Sequence, residues 1–291
     1  GLTYKTLSSL NPSIVTCSLS GFGRTGPRAS EPGYDPIMQA MAGYMSITGE
    51  PEGPPGKAGV SIIDFAGGYA AAFGLVAALL EAKTTGTGRD IDVSLLDTAI
   101  SMLTYFGSWQ LNSDWHPKRT INSAHQTLVP AQNFQTSDGW ISIFCAKEHF
   151  WRKFAEIIDL PELTSDERFA TFASRYDNRE TLIPVLAARL LEKTNAEWLS
   201  QFRGIVPSGP VNSIEQAFED EQIEARGLMV DVDHPFYGTI KQITSPIVTE
   251  GSNQANSVGP ALGQHTNEIL IDLLSMNPAN VQQLRDSGAV M

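Results

Sequence analysis

The sequence predicts an α/β protein: a Rossmann-like large domain on a parallel sheet, joined to a smaller α+β domain. Three observations predict it. β-rich runs at residues 12–19 and 90–95 alternate with helical patterns, and that spacing argues for parallel strands with helices between them. Residues 131–144 read as an antiparallel hairpin. Helical patterns then dominate from residue 148 to 202, as a separate mixed layer requires.

Taken in order, residues 12–19 end in a glycine-heavy turn and read as a buried strand. Residues 35–43 form a short helix in which Ile37, Met38 and Met41 are apolar and Gln39 polar, and residues 44–48 a short extended piece. A helix opens at Asp64 and runs to about residue 83, where Thr85-Gly86-Thr87-Gly88 stops it. Its apolar stretch, residues 65–80, is shorter than the roughly 20 residues of a membrane span. Asp64 and Glu81 bracket it, and Gly67, Gly68 and Gly74 suit close packing, so it reads as a buried core helix. Residues 90–95 are the next strand, and Asp97 begins a helix with Ile100, Leu103, Tyr105 and Phe106 apolar. The hairpin turns at Ser137-Asp138-Gly139, and Val206-Pro207-Ser208-Gly209-Pro210 ends the helical run. An acidic helix over 213–226, strands and turns over 231–247, and an amphipathic helix over 267–274 complete the chain. The expected domains are 1–112 (large), 113–129 (linker), 130–225 (small) and 226–291, which returns to the large domain.

With 42% hydrophobic and 18% charged residues over 291 positions, the chain can bury a real core. Twenty basic against 32 acidic residues leave a net charge of −12, which argues against nucleic-acid binding but permits a local basic pocket for an anion. Cys17 and Cys145 are too few and too scattered for a disulfide framework or a zinc site, and read as buried free thiols in a reducing compartment. No signal peptide is visible at Gly1, so the cytoplasm is expected; a longer front end leaves the mitochondrion open.

Three chemistries compete. Gly21-Phe22-Gly23-Arg24-Thr25-Gly26 matches the dinucleotide pattern G-x-G-x-x-G after a strand, with Glu50 placed 24 positions beyond Gly26. That fingerprint must run straight into a helix, and Pro27, Pro32 and Pro36 interrupt the region, which argues against a nicotinamide cofactor. Asp64 is the second candidate. At a helix start it serves either as a cap or as a nucleophile toward an activated acyl group, held ionised by first-turn amides. The five histidines (His116, His125, His149, His234 and His265) lack metal-ligand spacing, and no G-x-S-x-G elbow is present. No metal and no serine nucleophile is expected.

An ordered series of phrases then carries a resemblance. It begins with Asn11-Pro12, Cys17-Ser18-Leu19-Ser20-Gly21-Phe22-Gly23, Gly26-Pro27 and Gly33-Tyr34-Asp35, and continues through Gln39-Ala40, the Asp64 segment and Thr85-Gly86-Thr87-Gly88-Arg89. Asp92-Val93-Ser94-Leu95-Leu96-Asp97, Val206-Pro207-Ser208-Gly209-Pro210-Val211-Asn212 and Leu262-Gly263-Gln264-His265-Thr266 extend it along the chain. The series resembles the class III CoA-transferase family (CaiB/BaiF type), which includes formyl-CoA:oxalate and carnitine-type CoA-transferases.

The resemblance implies that Asp64 is the nucleophile, with coenzyme A or acyl-CoA as substrate rather than bound cofactor, and a small carboxylic acid as acceptor. It implies contact with the acyl-CoA at Gly33, Tyr34, Asp35 and Gln39: a glycine that lets backbone approach the thioester arm, a ring at the acyl end, and a side-chain donor. Packing at a helix start explains Tyr34 and Gln39 equally. The related α-methylacyl-CoA racemases carry histidine at the Tyr34 position, because racemisation needs a second acid/base group. Tyrosine, with a reference pKa of about 10, is a poor match at neutral pH and favours transfer. The family further implies an interlocked homodimer and a segment ahead of Gly1 that supplies the first strands and several CoA contacts. An isolated, non-catalytic fragment is the remaining alternative.

Overall fold

A computed structural model describes residues 1–250 and 257–291. The chain divides into two units, Gly1–Val211 and Asn212–Met291.

The first unit opens with α1 (Tyr4–Leu10), whose Thr3 hydroxyl caps it by accepting from the Thr6 amide. Strand β1 (Thr16–Ser20) follows, then α2 (Asp35–Met41), α3 (Tyr44–Ile47), the long α4 (Ile62–Thr85) and β2 (Asp90–Ser94). Strands β1 and β2 pair in parallel, Thr16 opposite Asp90 and Ser20 opposite Ser94. A parallel pair needs a crossover, and the segment containing α4 supplies it. The α/β class expected from the sequence therefore holds.

Two starts differ from expectation. Residues 44–48 turn as a helix, because Gly43 in the left-handed region (φ 89°) ends α2 and restarts the chain; the Tyr44 hydroxyl then donates to the Ala99 carbonyl at 2.9 Å. The helix after β2, α5 (Leu95–Ser101), begins two residues before Asp97, since the Ser94 hydroxyl accepts the Asp97 amide. Helix α6 (Thr104–Asn112) follows it.

The glycine stop of α4 is as expected, with Gly86 at φ 73° and its amide returning to the Ala82 carbonyl. Its burial is not. The small residues form the packed stripe: a Cβ on Gly67 would sit 2.8 Å from Leu95, and one on Gly74 3.4 Å from Ile91. The large residues Phe65, Tyr69, Phe73, Val76 and Leu80 face outward and are exposed. An all-apolar run hides which face packs, so the sequence suggested a core helix where the chain offers a half-covered one. Among the described residues it is the one helix long and apolar enough to cross a membrane.

Strands β3 (Ala131–Gln135) and β4 (Trp140–Phe144) form the expected hairpin around residues 136–139, with Thr136 donating to the Gly139 carbonyl at 2.9 Å. The bundle beside it contains α7 (Glu148–Ile157), α8 (Phe172–Asp177), α9 (Arg179–Leu190) and α10 (Asn195–Phe202). Strand β5 (Ser208–Pro210) then pairs antiparallel with β4. Trp151, Phe154, Leu182, Leu186, Trp198 and Phe202 are almost fully buried in this layer. Each contributes about 1.5–3 kcal/mol by leaving water. Met38, Ile63, Leu95 and Ala99 form a separate core between α2, α4 and α5.

In the second unit the expected single helix over 213–226 is two, α11 (Ile214–Phe218) and α12 (Glu221–Ala225), because Asp220 caps the second by accepting the Gln222 amide at 2.8 Å. Strands β6 (Met229–His234) and β7 (Gly238–Ile243) form a hairpin. Residues Glu268–Leu273 wind as a π-helix, and α13 (Pro278–Asp286) closes the chain.

Candidate active site

The site is built where α2 meets the start of α4. Leaving β1, the chain passes through Gly21, whose backbone touches Gly33: a Cβ on Gly33 would lie 2.7 Å from the Gly21 Cα and 2.4 Å from the Met38 Cε. Only glycine allows that approach. The loop between them never becomes the helix a dinucleotide fingerprint needs; helix resumes only at Asp35. Arg24 instead reaches back across β2 to Asp90 and Asp92. The Thr16 hydroxyl and the Arg24 guanidinium hold the Asp90 carboxyl below the usual carboxylate range.

Tyr34 precedes α2 in extended conformation and its side chain is exposed. Asp35 and Gln39, four residues apart on α2, are each 1% exposed. One Asp35 oxygen, Oδ1, accepts from Gln39 Nε2 at 2.7 Å, and the other, Oδ2, accepts the Ile63 amide at 2.7 Å. Gln39 Oε1 accepts the Ala58 amide at 2.9 Å. This network ties α2 to the incoming loop and to the first turn of α4.

Ser61 stands at the N-cap of α4 and makes no side-chain cap bond. Asp64 is therefore neither the cap nor the first residue, as the sequence allowed, but the third residue of the helix. The capping role falls to Asp35, which the sequence could not pair with a residue 28 positions away. Asp64 is exposed, and among the described residues no group donates to its carboxylate. An unpartnered, accessible carboxylate is what nucleophilic attack requires.

The residues expected to contact the acyl-CoA differ in how they are held. Gly33 closes against Gly21, and Asp35 and Gln39 engage the named oxygen and nitrogen atoms inside the chain. Tyr34 is the member of the set that presents its ring to solvent.

The geometry is that of an α/β body with an exposed carboxylate in the first turn of a crossover helix. The profile of CoA-transferase family III matches residues 1–266. The chain is 35% identical over 293 aligned residues to the mouse succinyl-CoA:glutarate CoA-transferase, covering 100% of this chain and 67% of that protein. It is 34% identical over 232 residues to the acetyl-CoA:oxalate CoA-transferase of Acetobacter aceti, covering 79% of this chain and 59% of the relative. A CaiB/BaiF family protein from Brucella suis superposes with a TM-score of 0.78 at 34% identity, over 94% of this chain and 71% of that one. The chain belongs to CoA-transferase family III. It spans about two thirds of the length of the mouse relative.

Proposed function

We propose that the protein moves CoA from an acyl-CoA donor to a carboxylic acid, with Asp64 as the covalent carrier. The observation that carries this reading is the free, exposed Asp64 carboxylate on a helix whose cap is supplied from elsewhere.

A carboxylate oxygen of Asp64 attacks the thioester carbonyl, the carbon–sulfur bond breaks, and CoA leaves as thiolate. The resulting mixed anhydride is attacked by that thiolate at the aspartyl carbonyl; the donor acid leaves as carboxylate and an aspartyl thioester remains. The acceptor carboxylate then attacks the thioester, expelling CoA thiolate and forming a second anhydride. Thiolate attack on the acceptor carbonyl releases the new acyl-CoA and restores the Asp64 carboxylate. One difficult exchange becomes several easier acyl transfers.

Tyr34 borders the acyl end in this reading, and Gly33, Asp35 and Gln39 hold the frame. The relatives named for glutarate and oxalate transfer favour a dicarboxylic acceptor. The assembly is a homodimer of interlocked chains, which the exposed outer face of α4 would serve.

The test is intact-mass spectrometry after mixing the protein with a panel of acyl-CoAs, with hydroxylamine trapping and an Asp64→Ala control. An acyl- or CoA-sized adduct on Asp64, absent from the variant, is expected. No adduct with any acyl-CoA would remove Asp64 as carrier.

A further inference from the structure

A cavity of about 520 Å³ is lined by residues of the 115–132 segment and by the first turns of α9. That volume lies within the range of small-molecule sites. Trp115, Ile121, Val129 and Ile183 supply apolar wall. Lys118, Arg119 and Arg179 also line it, against the single carboxylate of Glu180, in a chain whose net charge is −12. A cationic lining in so acidic a protein marks a place selected for negative charge.

The three cations are not equivalent. Arg119 is committed to structure, its Nη1 donating to the carbonyls of Glu50 (3.1 Å), Gly53 and Pro54 (3.0 Å). Lys118 and Arg179 have no carboxylate partner among the described residues. Arg179 is held in place by its Nη1 bond to the Tyr176 carbonyl (2.7 Å) and lies 4.5 Å over the Tyr176 ring. Its remaining donors are left for another acceptor.

Two neutral groups point the same way. Gln132 is 8% exposed, yet its amide makes only a 3.5 Å contact with the neighbouring Asn133 carbonyl, beyond the usual hydrogen-bond range. A buried amide so poorly satisfied wants a partner. His125 accepts backbone amides of Thr127 (3.2 Å) and Leu128 (3.1 Å) at Nδ1, which places its hydrogen on Nε2 as a donor. The amino end of α9 adds the positive end of a helix dipole, and Asn178 makes no side-chain cap there.

We propose that this cavity binds a carboxylate with an apolar stem: the charged end meets Lys118, Arg179, His125 and Gln132, and the stem lies along Trp115 and Ile183. Binding needs no thioester and no step at Asp64, so it stands apart from the covalent reading.

The experiment is isothermal titration with glutarate, using pentane-1,5-diol as the uncharged counterpart, on the wild type and on Asp64→Ala, Arg179→Gln, Lys118→Gln and Gln132→Leu. Circular dichroism checks that each variant is folded. Saturable glutarate binding is expected in the wild type and in Asp64→Ala alike, falling with added salt, with none for the diol. Each loss of a cation should weaken it by about tenfold or more, as expected for a hydrogen bond to a charged group. Gln132→Leu, which keeps both cations, should weaken it as well. The proposal is overturned if glutarate fails to bind the wild type at millimolar concentration. It is equally overturned if the diol binds as well, if the folded cavity variants bind as the wild type does, or if binding disappears in Asp64→Ala alone.

Discussion

The Asp35 carboxylate accepts the Ile63 amide at 2.7 Å, so the cap of α4 comes from α2 rather than from the residue preceding the helix. That bond fixes the first turn of α4 and frees Asp64 from capping it. Replacing Asp35 with Ala leaves the Ile63 amide and the Gln39 side chain without their acceptor, at a cost of about 1–3 kcal/mol. Asp35→Ala should therefore lower the urea midpoint and slow adduct formation at Asp64. Asp35→Asn, which keeps one acceptor oxygen, should fall between the two. Unchanged adduct rates in both variants would make the bond structural only.

Gly33 lies against two unlike neighbours. The Met38 methyl end can rotate away from an added Cβ, but the Gly21 Cα at 2.7 Å is backbone and cannot. Gly33→Ala should destabilise the protein by about 1–3 kcal/mol, the usual cost of overpacking. Trimming Met38 to Ala in the same chain should not restore it, which denaturant titration of the single and double variants would show.

Local patterns disclosed much of this architecture. The hairpin at 131–144 and the Gly86 stop of α4 follow from turn chemistry that acts over a few residues. The starts at Ile62 and Leu95 were misplaced because a nearby acid imitates a cap, whereas the capping groups are Asp35 and Ser94. Asp64 was legible as a candidate from its position and the family resemblance, but its freedom depends on a contact 28 residues away that no local pattern encodes. The cavity was hidden for a similar reason. Lys118, His125 and Gln132 fall in and beside the expected linker over 113–129, and Arg179 joins them only through folding. The run of His116, Lys118 and Arg119 in an acidic chain was the available signal.

Cys145 is fully buried, and burial pushes its thiol up to about 12, with the nearby Arg175 opposing the shift. The thiolate is the reactive species. Iodoacetamide at mildly alkaline pH should leave Cys145 unmodified in the folded protein and label it after unfolding, as peptide mass mapping would read. The folded value lies above the unfolded one, so the associated stability is complete below the ordinary thiol value. It fades as pH rises from there through about 12. Removing the thiol by Cys145→Ala should therefore flatten the alkaline limb of the stability profile.

Arg175 is the buried charge that joins α8 to the hairpin. Its Nε donates to the Val129 carbonyl at 2.7 Å, its Nη1 to the Phe169 carbonyl at 3.1 Å, and its Nη2 lies 2.9 Å from Glu148 Oε2. Burial pulls the guanidinium below its usual range while Glu148 opposes that shift. Arg175→Ala strands two carbonyls and one carboxylate and should cost about 3–5 kcal/mol. Glu148→Gln should cost less, because its side chain is one-third exposed and water can replace the lost pair. Thermal unfolding of both variants tests the order.

Asp64 stands in the opposite condition: no group in the described chain donates to its carboxylate, so its removal breaks nothing. Asp64→Asn should leave the unfolding free energy, from urea titration, within about 0.5 kcal/mol of the wild type, as for a surface change away from packing and caps. The same substitution should abolish the acyl or CoA adduct, since an amide is a poor nucleophile and cannot form the anhydride. Asp64→Glu keeps the charge but moves it by one methylene. A displacement of about 1 Å is enough to cost roughly a hundredfold in rate, so the adduct should still form, slowly. Stability and reactivity therefore separate at this residue. A large loss of stability in Asp64→Asn would instead return Asp64 to a structural role, and mass spectrometry beside denaturant titration decides between them.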